Sequence, residues 1–225
     1  MTFLDELIST QFEKLGSDFR KNLRVGQICR APVLYCYESS EIWRPCGLDM
    51  SGTMATYFNP ISQPGDAYKT TNILAKPRLE AYEEFPVVRA KFRPVILLVP
   101  SPAPSDIPKL PGGSPIDRHL CLVAPCYSVQ DPAGKPRFPQ KFLENVRRLL
   151  YPHFLFLVNQ QPCLPNDSIL RLDTIQHVFH NHLQPTEWRL PPDLLKILLG
   201  QLAFLFSNIY EGEFKVARNL LLSQT

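Results

Sequence analysis

Long apolar runs are scarce in this chain. The most apolar stretch, Leu194 to Phe206, is interrupted by Lys196 and Gln201 and is too short to span a bilayer. The opening segment MTFLDELISTQFEKLGSDFRKNLR has early acids and no apolar core of the secretory kind, so no membrane association is expected. Cysteine pairs are lacking as well. The six cysteines, Cys29, Cys36, Cys46, Cys121, Cys126 and Cys163, form no C-x-x-C pair, which argues against a zinc knuckle. Cys121 and Cys126 stand inside the run HLCLVAPCYSV. The expectation is buried free thiols in a reducing, cytoplasmic setting rather than a disulfide framework. No G-x-S-x-G elbow occurs, which removes one serine-hydrolase signature. His177, His180 and His182 invite a metal, with His180 and His182 on one face of an extended segment. No acid or cysteine completes a ligand set, however, and no metal or cofactor is expected. Strong charge of one sign is also missing. The net charge is +3, so an anionic partner has to be argued from local clusters.

Proline, by contrast, is abundant: 23 of 225 residues, about twice the usual share of roughly 5%. Proline cannot donate to a sheet ladder and breaks helices, so short elements joined by many ordered loops are expected. The length suits one domain with extra helices, or a domain and a half, and can bury a core without staples. No internal repeat is present.

Residues 3–23 read as an amphipathic helix, with Phe3, Leu4, Leu7, Ile8, Phe12, Leu15 and Phe19 at three- and four-residue spacing. Its apolar stripe predicts a brace on the main domain, which would occupy residues 24–206. VGQICRAPVLYCY at 25–37 reads as one or two strands. A polar, glycine- and proline-rich connection at about 38–84 reads as a long insertion, with a short strand near 54–58. PVILLV at 94–99 and the run at 120–124 read as buried strands, separated by a Pro/Ser/Gly loop. A short basic helix is expected at 140–151, strands at 153–158 and 168–180, and a leucine-rich helix at 193–206 opened by Pro191 and Pro192. Residues 207–225 would form a C-terminal helical extension. Many short strands flanked by helices define a mainly β, α+β class and favour a small barrel over a parallel βαβ sheet.

Four short landmarks occur in order. Gly26-Gln27-Ile28-Cys29 opens the first strand. Arg93-Pro94 precedes the apolar run Val95-Ile96-Leu97-Leu98. Leu120 to Ala124 leads into Pro125-Cys126-Tyr127-Ser128, and Ile169-Leu170-Arg171-Leu172-Asp173-Thr174-Ile175 precedes the leucine helix. In this order they resemble the PemK/MazF toxin family. The resemblance implies a coiled SH3-like small β-barrel, with an N-terminal helix and C-terminal helices here. It implies a homodimer, an antitoxin protein as partner, and cleavage of single-stranded RNA without a metal. It also transfers the family's arginine and hydroxyl to Arg93 and Ser128. Two departures stand out: Tyr127 occupies the family's threonine position, and Val88-Arg89-Ala90-Lys91 replaces its glycine-rich loop.

Cleavage of RNA without a metal requires attack of a 2′-oxygen on the adjacent phosphate, with charge stabilisation and a proton donor or acceptor. Arginine suits the first task because its planar fork pairs with phosphate oxygens. Arg93 and Ser128 are therefore the candidate catalytic pair, and Tyr127 a hydroxyl or a stacking ring. Arg89, Lys91 and Arg93 alternate and would face one way on an extended segment, able to track a phosphate backbone; Glu80, Glu83 and Glu84 lie nearby and could neutralise them. The competing readings are a solvated strand-edge cation for Arg93 and a turn residue for Ser128. Lys135, Arg137, Lys141, Arg147 and Arg148 form a second basic set around Phe138 and Phe142, whose rings read as core. The alternative to an enzyme is a non-catalytic module for nucleic acid, DNA included, or protein.

Overall fold

The structure, a computed structural model, describes residues 2–35, 41–48, 56–60, 85–101, 119–159 and 164–223, with backbone alone for 41–48, 56–60 and 85–86. In chain order the elements are α1 (Leu4–Leu7), β1 (Glu13–Lys14), β2 (Gln27–Leu34), β3 (Glu41–Leu48), β4 (Thr56–Pro60), β5 (Phe85–Val87), β6 (Ala90–Val99) and β7 (Leu120–Ser128). There follow α2 (Gln140–Arg147), β8 (Phe154–Leu157), β9 (Ser168–Arg171), β10 (Gln176–Phe179), β11 (Gln184–Arg189), α3 (Pro192–Ser207) and α4 (Gly212–Ser223). The chain divides into two compact units, Met1–Val33 with Phe92–Thr225, and Leu34–Lys91. The second unit carries a three-stranded antiparallel sheet in the order β4-β3-β5. The insertion expected at 38–84 falls inside this unit. Glu80, Glu83, Glu84 and most of the loop before residue 119 lie outside the described residues.

The first unit is built on an eight-stranded sheet, β1-β11-β2-β6-β7-β9-β8, with β10 also beside β7. The fold is thus mainly antiparallel β with a few helices, as the sequence implies, but the sheet is not the closed barrel expected. Among the described residues its path ends at β1, two residues long, and at β8, four residues long. Closure needs tilted, staggered strands whose ends pair.

β7 shows how a broken neighbour is accommodated. β9 pairs with its end, Tyr127 opposite Ile169 and Ser128 opposite Ser168. A single-turn 3-10 helix at Leu172–Thr174 then interrupts the ladder, and β10 resumes it with Gln176 opposite Val123. The single strand expected at 168–180 is therefore two. Pro125 sits at the interruption, where a residue without an N–H costs least.

Period-two alternation sorts the core onto two faces. Ile28, Ile96, Ala124, Cys126, Leu155 and Leu170 point to one face and pack with Leu194, Leu198 and Phe214 of the C-terminal helices. Cys29, Val95, Leu97, Cys121 and Val123 form a second cluster, and Ile169 and Phe156 join Val146 of α2 in a third. Gly26 opens β2 at φ +82°, a backbone angle that favours glycine. Its N–H donates to the Leu97 carbonyl at 2.7 Å and its carbonyl accepts the Leu190 N–H at 3.0 Å.

The N-terminal helix expected at 3–23 is limited to Leu4–Leu7. The remainder follows the sheet edge instead: Glu13 and Lys14 pair with Arg189 and Trp188 of β11, and Leu15 N–H donates to the Glu187 carbonyl at 2.7 Å. Gly16 weakens a helix here, and an open strand edge outweighs a helical spacing. The 207–225 extension is part of the core, since Phe214 and Leu221 are fully buried. Among the described residues no single helix is long and apolar enough to cross a membrane.

Candidate functional site

Arg93 stands two residues before Val95 on β6, and Val95 pairs with Pro125 on β7. The antiparallel register thus brings Arg93 beside Tyr127, and its guanidinium carbon lies 4.1 Å from the centre of the Tyr127 ring. Tyr127 pairs with Ile169, which places Arg171, two residues on, at the diagonal position on the same face. The Arg171 guanidinium lies 5.1 Å from the same ring. One tyrosine therefore holds two guanidinium groups. Such contacts are worth about 0.5–2 kcal/mol each, more where desolvated. Asp173 accepts from Arg171 Nε at 3.0 Å and from Nη2 at 2.6 Å, a bidentate pair set up by the 3-10 turn. Arg93 is 8% exposed and Tyr127 9%, so Arg93 is not the solvated strand-edge cation of the competing reading.

Ser128 follows a different course. Alternation along β7 turns its side chain to the face opposite Tyr127 and Arg93. Its hydroxyl donates to the Gln130 carbonyl at 2.7 Å and accepts the Gln130 N–H at 3.3 Å, a local turn bond. The register thus brings Arg93 together with Tyr127, not with Ser128. Arg89 and Lys91 are exposed members of the second unit. The Arg89 carbonyl accepts the Tyr35 N–H at 2.8 Å, and its guanidinium lies 5.4 Å from the Tyr35 ring.

The other candidates resolve differently. His177 is exposed on β10, while His180 and His182 occupy a 3-10 turn, not a strand face, and no metal-competent cluster is found among the described residues. Cys29, Cys121 and Cys126 are buried free thiols; the side chains of Cys36, Cys46 and Cys163 lie outside the described residues. Burial pushes the Cys29 thiol up to about 12, with Cys121 nearby adding to the shift, which leaves it inert as a nucleophile. In the second basic set, Asp5 holds Arg147 through Nε at 2.8 Å and Nη2 at 2.5 Å. These hydrogen bonds raise the arginine's pKa further.

Arg171 was not singled out from the sequence. It lies inside the landmark Ile169–Ile175, and pairing β9 with β7 is the only step that reveals its proximity to Tyr127. No family model matches the chain, nor does any curated protein or solved structure.

Proposed function

We propose that this chain is a diverged PemK/MazF-like protein, its open sheet a variant of the family's coiled SH3-like barrel, and that it cleaves single-stranded RNA without a metal. The observation that carries this reading is the pair of guanidinium groups, Arg93 and Arg171, held on one tyrosine ring. Two cations fixed at one spot suit a phosphate whose charge grows during attack. Asp173 orients Arg171 and leaves Arg93 as the main cation toward phosphate. The Tyr127 ring holds both guanidinium groups in place, and Ser128 serves the turn. A cytoplasmic setting, a homodimer and an antitoxin-type partner belong to the same proposal.

A second reading, a non-catalytic module that binds nucleic acid or protein, is favoured by one observation: the Ser128 hydroxyl is committed to the Gln130 backbone. The discriminating experiment incubates the wild-type protein and Ser128→Ala with long single-stranded RNA in EDTA. The enzyme reading expects fragments from both proteins at similar rates. RNA that is bound but stays whole establishes the module.

A further inference from the structure

A cleft of about 320 Å³ opens just past the end of β7. Its apolar walls include Phe138, Leu143 and Phe156, and its polar groups include Gln130, Gln140 and Asp167. Phe156 pairs with Ile169 and Ile169 with Tyr127, so the cleft floor shares the sheet face of the two stacked arginines. The turn leading to Phe138 is fixed by Asp131, whose carboxylate accepts the N–H groups of Ala133 and Lys135 at 2.9 and 2.8 Å. Phe138 in turn stacks on Phe142 at 5.5 Å. Asp167 Oδ1 accepts the Asn159 N–H at 2.8 Å, which orients the carboxylate. Arg147, also on the wall, is committed to Asp5 and is not the anchor for an incoming anion.

Aromatic walls with amides and a carboxylate at the rim match a planar ring with a polar edge. Single-stranded RNA offers such rings, because unpaired bases stack on aromatic side chains and expose their hydrogen-bonding edges. The volume lies at the small end of ligand sites, roughly 300–1,000 Å³. An ionised carboxylate only accepts, so it selects a ring with two adjacent N–H donors. Among the four RNA bases that ring is guanine, through N1–H and the N2 amino group. Val129, another wall residue, follows the end of β7 two residues beyond Tyr127, packs with Ile169 and donates its N–H to the Asp167 carbonyl at 2.9 Å, a step of about 7 Å for extended chain. One nucleotide can cover that span.

We propose that this cleft is a base pocket that takes a guanine from single-stranded RNA, with Asp167 accepting its N1–H and N2–H donors and Gln130 and Gln140 bonding the rest of its edge. This rests on the RNA reading and gives it a sequence preference. The test is calorimetric titration of GMP, AMP, CMP and UMP into the full-length wild type, Asp167→Asn and Phe138→Ala, with a melting curve for each. Wild-type protein should bind GMP tightest. Asp167→Asn keeps the oxygen that accepts the Asn159 N–H, so its melting temperature should hold. It presents an N–H to guanine's donors, so its guanine preference should fall on the order of tenfold or more. Phe138→Ala should weaken all four ligands together. Equal binding of the four nucleotides, no binding at all, or an unchanged preference in Asp167→Asn overturns the pocket. Selective GMP binding with RNA left whole supports the pocket and sinks only the cleavage reading. RNA cut without a guanine preference sinks the pocket and spares that reading.

Discussion

At the residue scale, buried groups carry the sharpest consequences. The Cys29 thiol titrates at about 12 in the folded protein but near 8.5 in an unfolded chain. Between those values the unfolded chain binds fewer protons, so stability is undiminished below about pH 8 and falls as pH rises towards 12. The slope is about 1.4 kcal/mol per pH unit. Denaturant midpoints at pH 8 and 10.5 should separate clearly for the wild type and less for Cys29→Ala; equal separation in both would remove Cys29 as the cause. Arg93 shows what residue types alone leave open. An arginine before a proline reads as a surface cation, and its burial against Tyr127 appears only once β6 and β7 are paired. Arg171 was hidden for the same reason. Ser128 was named by its position in a motif, but a side-chain period of two decides which face it serves.

At the scale of elements, the apolar runs at 94–99 and 120–124 and the leucine helix were legible because continuous burial leaves a continuous apolar signature. β11 was not legible. QPTEWR carries no apolar alternation, and it is a strand because β2 and β1 flank it: Gln184 pairs with Arg30, and Thr186 Oγ1 donates to the Ile28 carbonyl at 2.7 Å. The N-terminal segment had helical spacing and lost to that same strand edge. The crossing of α3 and α4 gives a direct test of packing. A Cβ placed on Gly200 would stand 2.6 Å from the Phe214 Cβ, so the glycine permits the close approach. Gly200→Ala would gain up to about 1 kcal/mol of helix propensity, yet the clash should dominate and cost about 1–3 kcal/mol net. A lowered thermal midpoint is expected; a raised one would refute the crossing.

For the whole molecule, the insertion was legible as a composition change, whereas the place of the C-terminal helix was not. α4 is tied to the chain after α2 by reciprocal arginines. Arg148, 4% exposed, donates to the Leu221 carbonyl at 3.0 Å, and Arg218 Nε donates to the Leu149 carbonyl at 3.0 Å. Removing residues 212–225 would strip Phe214 from the core and leave Arg148 without that carbonyl. The loss should reach at least about 3 kcal/mol. A truncated chain with the wild-type denaturation midpoint would show the helix to be an appendage after all.

The central claim is that the arginine pair on Tyr127 acts on RNA phosphate, and cleavage kinetics reach it most directly. Wild type, Arg93→Ala and Arg93→Lys should be compared on long single-stranded RNA in EDTA, each with a melting curve. Arg93 is buried, so Ala carries a stability cost, while Lys keeps the charge and loses the planar fork. The account predicts fragments from the wild type and a rate loss on the order of 10²–10³ for Arg93→Ala, with Arg93→Lys folded and impaired. RNA left whole by the wild type, or cut equally by all three, would contradict it.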